Sequence, residues 1–228
     1  MLRIISVMTL LGLLAGTVWA QEPPVRGARR AAGAPCIEGG RSMVMMTVAF
    51  TPASLRDLVG QAQVILTGTV TSLDAYVHRR AVEPGRPVDC GSVRTDAIVR
   101  VDTVLKGDTS FTQILVSQRG GETPERASVP QQFDLLRKND RLVLFLTPWE
   151  NAELPDRGGL PRFVITGVWT GAFRVEPGGV LGHYEQIRGS RSANQVLEAQ
   201  RGRRVEEFLA EVRDLIAQNP PPVIPWRR

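Results

Sequence analysis

The sequence predicts a mainly β domain: a small antiparallel barrel of five or six strands, entered by a short helix and closed by a C-terminal one. Three observations lead there. The stretch "TDAIVRVDTVLKGD", Thr95 to Asp108, alternates apolar and polar residues before it breaks at Lys106-Gly107-Asp108, the period of a strand with one face on a core. Gly 22 and Pro 16 among 228 residues suit a turn-rich β chain. The strand-like segments also lack the βα alternation of a doubly wound sheet or an α/β barrel. A β-sandwich is the second architecture compatible with this pattern.

The chain begins with Arg3, an apolar stretch from Ile4 to Ala15, and Val18-Trp19-Ala20. That is the build of a secretory signal over 1–20, with an uncleaved anchor as the alternative. The apolar run falls short of the about 20 residues a span requires. No cysteine follows the expected cut, so a lipid anchor is not expected, and removing residues 1–20 from 228 leaves 208, enough for one domain with a sizeable core. Residues 21–47 read as a leader rich in Ala, Gly, Arg and Pro. The expected location is secreted or periplasmic, with no membrane association after cleavage.

Net charge is +5, and Lys106 and Lys138 are the only lysines. The arginines scatter along the chain, which describes a solvated surface rather than a nucleic-acid footprint. Two cysteines, Cys36 and Cys90, are expected to form one disulfide in an oxidising compartment. It would close a loop of 54 residues, worth about 4 kcal/mol on the chain-entropy account.

Within the barrel region, 48–188, Thr51-Pro52 reads as a helix start, with Leu55, Leu58, Val59 and Ala62 on one face. "AQVILTGTVTSL" is a β-rich strand, with Gly68 on the face of Val64, Leu66 and Val70; such a glycine signals a bulge or a close backbone approach. Residues 75–91, with Pro84-Gly85 and Pro87, read as a long loop. In the next strand Ala97, Val99, Val101, Thr103 and Leu105 face inward, and Asp96, Arg100, Asp102 and Lys106 face solvent. "FTQILVS" returns as its hairpin partner, and Gly120-Gly121 opens a loop. Asn139-Asp140 turns into Leu142–Leu146, an apolar run suited to a strand covered on both sides. "RFVITGV" and the hairpin "GAFRVEPGGVL" complete the strands. A helix over 189–219 carries Val205, Phe208, Leu209, Val212, Leu215 and Ile216 on one stripe. Ser192 and Gln195 have capping-box spacing, Gly202 divides the helix, and Asn219-Pro220 ends it before a Pro/Arg tail over 220–228.

"SLRDLVGQAQVILTGTV", "AIVRVDTVLKGD", "FTQILVSQRGG" and "LRKNDRLVLFL", in that order, resemble exported bacterial domains of the netrin-like, or tissue-inhibitor-of-metalloproteinase-like, OB-fold class. The likeness runs from about Leu55 to Val180 and implies an OB-like five-stranded barrel with packed helices. The inhibitors of that class chelate a protease zinc through a cysteine at the mature N-terminus. Here the expected terminus is Gln21 and Cys36 lies further in, so only the fold carries over.

No nucleophile elbow, zinc-protease helix or phosphate loop is present. The two histidines, His78 and His183, have no metal-ligand spacing; His78 reads as a loop residue, and His183 as a strand-end residue beside Glu185. Asp96, Asp102 and Asp108 read as a solvated face, and Gly120-Gly121-Glu122 as a plain turn. Phe111, Phe145, Phe163, Phe173 and Trp169 sit among apolar neighbours like core, not like the spaced stacking platform of a nucleic-acid site. Trp149, Trp169 and Tyr184 form the expected partner patch. The expectation is therefore an exported, non-catalytic module, without metal or cofactor, for a protein or cell-envelope partner. The alternative is a secreted hydrolase or protease regulator using His183 and nearby acids.

Overall fold

In the computed structural model, which describes residues 41–44, 52–79, 91–108, 110–130, 133–149, 154–182 and 195–218, a short amphipathic helix leads straight into the first long strand. Helix α1 spans Leu55–Gln61. Its N-cap is Ser54, whose Oγ accepts from the Asp57 amide at 3.1 Å. The start thus falls later than Thr51-Pro52, because Ser54 is the residue that can satisfy a first-turn donor. Leu55, Leu58, Val59 and Ala62 are all buried, as their spacing requires.

Strands β2 (Val64–His78) and β3 (Ser92–Lys106) are each 15 residues long and antiparallel. Strand β2 therefore runs on through 75–78, where a loop was expected, because those residues pair with Ser92–Thr95. Two long strands stay over a small core only by bending, and the register shifts three times along them. Asp102 and Leu105 are extra residues on β3, and Thr71 on β2. The alternation consequently flips: Val104 joins the inner core and Leu105 the outer one, whereas Thr103 is exposed. Gly68 sits at such a shift, opposite Val101. A Cβ there would lie 2.6 Å from the Arg100 carbonyl oxygen, the close approach its position in the strand suggested.

Strand β4 (Gln113–Arg119) pairs antiparallel with β3, completing the expected hairpin. Strand β7 (Arg141–Pro148) pairs antiparallel with β2, and β8 (Arg162–Ile165) pairs with both β7 and β4. The pairings β2–β3–β4–β8–β7 thus return on themselves. The β4–β8 pair is parallel, so the sheet is mixed rather than antiparallel throughout. Strand direction alternates at every antiparallel pairing, and an odd ring cannot alternate all the way round.

Every strand of this ring contributes to one apolar cluster: Val64, Leu66 and Val70; Ala97 and Val99; Ile114 and Val116; Leu142, Leu144 and Leu146; Phe163 and Ile165. A second cluster covers the opposite face of β2 and β7 through Ile65, Val143 and Phe145. Leu142–Leu146 is therefore buried on both sides, as its unbroken apolar run predicts. Strands β9 (Ala172–Glu176) and β10 (Val180–Gly182) form the expected hairpin and extend the sheet from β7.

The expected closing helix is two helices, α2 (Gln195–Gln200) and α3 (Val205–Gln218). Gly202, at φ +75°, ends the first, and its amide donates to the Leu181 carbonyl at 2.8 Å. Helix α3 packs on the strands: Phe208, Val212 and Leu215 are buried in the second cluster, and Phe208 meets Phe173 at 5.0 Å between ring centres. A side chain such as Phe208 contributes about 1.5–3 kcal/mol by burial.

A small second sheet orders β1 (Arg41–Val44), β6 (Ala127–Pro130) and β5 (Gly121–Glu122). Two expectations change here. Residues 41–44, inside the expected leader, form a strand parallel to β6. Gly121 begins a strand rather than a loop. Neither segment is long enough to show a period: β1 owes its form to a partner distant in sequence, and β5 to the neighbouring β6.

Candidate functional site

Because Ala97 and Val99 point into the inner core, Arg94 and Asp96 project from the other face of β3. Register places Tyr76, Arg94 and Arg119 in one row across β2, β3 and β4, and Asp74, Asp96 and Ser117 in a second row. Residues opposed in an antiparallel pair share a face, so the rows lie side by side. Arg162 from β8, Trp149 at the end of β7 and Arg157 from the preceding loop join them.

Asp96 is 1% exposed. Its Oδ1 accepts from Ser117 Oγ at 2.6 Å and from the Tyr76 hydroxyl at 3.4 Å. Its Oδ2 takes no aligned hydrogen bond and meets Arg162 Nη1 at 3.2 Å as an ion pair. Arg162 also donates to the Tyr76 oxygen at 3.2 Å and to the Pro155 carbonyl at 2.6 Å. Asp74 pairs with Arg157, whose guanidinium lies 5.5 Å from the Tyr76 ring centre. Both carboxylates are thus engaged.

Arg94 is different. It is 6% exposed, and its guanidinium lies 4.0 Å from the Trp149 ring centre. Nε has no hydrogen-bond partner. Among the described residues, Arg94 has no ion pair. Burial pushes its pKa down to about 10; the Tyr76 hydroxyl opposes that drop, the neighbouring Arg119 charge adds to it, and the Asp96 charge opposes it in smaller part. Four guanidiniums (Arg94, Arg119, Arg157, Arg162) face two carboxylates, and Arg94 and Arg119 are the pair left over. Arg119 is exposed.

Tyr76 also borders a cleft of about 570 Å³ lined by His78, Arg79, Thr123, Glu125 and Pro155. A second groove of about 570 Å³ runs beside the small sheet, along Leu73, Val129, Phe133 and Leu136. Leu73 and Val129 are the exposed large apolar residues of the described chain.

Of the expected patch, Trp149 belongs to this face. Trp169 does not stand with it: the ring is half-buried against the outer core and stacks on Phe133 at 5.2 Å. Tyr184 lies outside the described residues, as do His183 and Glu185 and both cysteines of the expected disulfide, Cys36 and Cys90. His78 is the last residue of β2 and is buried, not a loop residue. The expected solvated row of acids also separates. Asp96 is buried in the network above, Asp102 is exposed near Arg100, and Asp108 accepts from the Ser110 amide at 2.8 Å. Lys106, expected on the solvent side, is buried and donates to the Val59 carbonyl at 2.7 Å, satisfying the end of α1. Desolvation lowers its pKa. Of the expected Gly120-Gly121-Glu122 turn, the Gly120 amide donates to the Val93 carbonyl at 2.8 Å, and Gly121–Glu122 is strand β5 instead.

Sequence reasoning missed Arg94, Arg119, Tyr76 and Arg162. The one available signal was Arg94 two positions before Asp96 in the alternation of β3; nothing local shows that Trp149 and Arg162 cover that face.

A scan of family models returns no match to this chain, and a search of curated proteins returns none either. Among the described residues no three or more His, Cys, Asp or Glu gather as a metal site would need. No described helix is long and apolar enough to cross a membrane.

Proposed function

We propose that this chain is an exported, non-catalytic binding module on an OB-like five-stranded barrel, which takes a protein or cell-envelope partner on its Trp149–Arg94 face. The strand order β2–β3–β4–β8–β7, with its single parallel pair within the ring, supports the barrel and the netrin-like resemblance. The signal-like first 20 residues support export.

One observation carries the binding reading: a half-exposed tryptophan lies on a buried guanidinium that has no carboxylate partner. A fold kept only for stability has no use for an uncompensated buried charge. Partner surfaces, by contrast, are enriched in Trp, Tyr and Arg, and Tyr76, Arg119 and Arg162 stand around this pair.

The test is capture from an envelope extract of the producing cells by the immobilised exported protein, wild type against Trp149→Ala. A partner held by the wild type and lost by the folded variant supports the reading. Equal capture by both, or capture by neither, refutes it.

A further inference from the structure

We propose that Arg94 and Arg119 bind an oxyanion, a carboxylate or phosphate group carried by the ligand, with Arg119 at the mouth of the site and Arg94 on its floor. This rests on the binding reading above and adds the chemistry of what is bound.

The two arginines oppose each other directly across the antiparallel β3–β4 pair. Like charges in that position disfavour pairing, and here one of the two is also buried. The nearby carboxylates relieve them only in part: the Asp96 charge favours the Arg94 cation, but its oxygens are taken by Arg162, Ser117 and Tyr76, and Asp74 is taken by Arg157. A guanidinium presents five donors in a planar fork that matches two oxygens of one anion. On Arg94 the Nε of that fork is buried without a partner. The Trp149 ring at 4.0 Å fixes the plane of the guanidinium before any ligand arrives, which lowers the ordering cost of binding.

The adjacent row shows the same chemistry already satisfied. There a carboxylate, Asp96, lies between a guanidinium and two hydroxyls. The Arg94 row has the cations but no acid. The lowered Arg94 pKa agrees with an uncompensated cation, and an anion at the site would raise it again.

Titration calorimetry of the full exported protein with sodium phosphate and, separately, sodium acetate, at ionic strength held constant with chloride, tests this. The expected result is saturable binding of at least one probe. Arg119→Gln and Arg94→Met should each weaken it by about tenfold or more, since each removes charge-assisted hydrogen bonds. Arg201→Gln, on a different part of the surface, should leave it unchanged. Acetate alone assigns a carboxylate ligand and phosphate alone a phosphate ligand. Absence of saturable binding, binding untouched by both site variants, or equal weakening by Arg201→Gln overturns the proposal. Partner capture that depends on Trp149 while neither anion binds removes this inference and leaves the binding-module reading standing. Anion binding without capture does the reverse.

Discussion

Replacing Arg94 with Met should make the protein more stable. Met keeps much of the apolar stem that packs under Trp149 and removes the buried charge. The depression of the Arg94 pKa to about 10, a net figure that already contains the help of Tyr76, corresponds to roughly 3 kcal/mol of disfavour toward the charged form. Against that stands the contact with Trp149, worth about 1 kcal/mol. The balance is a gain of about 2 kcal/mol for Arg94→Met, or roughly 4–8 °C in melting temperature for a chain of this size. Urea unfolding at pH 7, compared at unchanged m-value, measures it. The folded-state pKa lies below the unfolded one, so from about pH 10 up to the ordinary arginine range the unfolded chain holds more protons. Stability of the wild type relative to the variant therefore rises with pH through that window, and its deficit is complete at neutral pH. A loss of more than about 1 kcal/mol on substitution would mean that the guanidinium holds the fold together, and the case for a functional cation would fail.

Asp96→Asn keeps the shape of the side chain but leaves the Arg162 guanidinium, 10% exposed, without its ion pair. The expected loss is about 3–5 kcal/mol in urea unfolding, and Arg162→Met added to Asp96→Asn should restore a large part of it; additive losses would show that the two are not coupled. Gly68→Ala should destabilise by about 1–3 kcal/mol or more, because its Cβ would meet the Arg100 carbonyl oxygen at 2.6 Å and Val99 Cγ1 at 2.7 Å. Gly60→Ala, in α1 with open space around the added carbon, should instead stabilise by about 0.5–1 kcal/mol; the same sign at both glycines would refute the close-approach account.

The elements themselves were legible because their periods are local. The i, i+3, i+4 spacing of Leu55, Leu58 and Val59 marked α1, and the stripe from Val205 to Ile216 marked α3. Leu142–Leu146 announced a doubly covered strand. Bulges were not legible: one extra residue at Asp102 turns Thr103 out and Val104 in, and "VDTVL" reads equally well without it. Very short strands, such as Arg41–Val44 and Gly121–Glu122, carry no period at all. The site was half legible. Trp149 was singled out for its residue type, whereas Asp96 passed as solvated surface because hydrophilic residues on alternate positions normally are, and Arg94 was not singled out.

By itself, then, the sequence determined the longer helices and strands and most of the side chains that line the two apolar cores, since both follow from residue spacing along one element. Tertiary structure alone decided that β8 closes the ring parallel to β4, that Arg162 reaches Asp96, and that Trp149 covers Arg94. Those contacts join residues 47 to 66 positions apart. No period within one strand encodes what will be laid over its outer face.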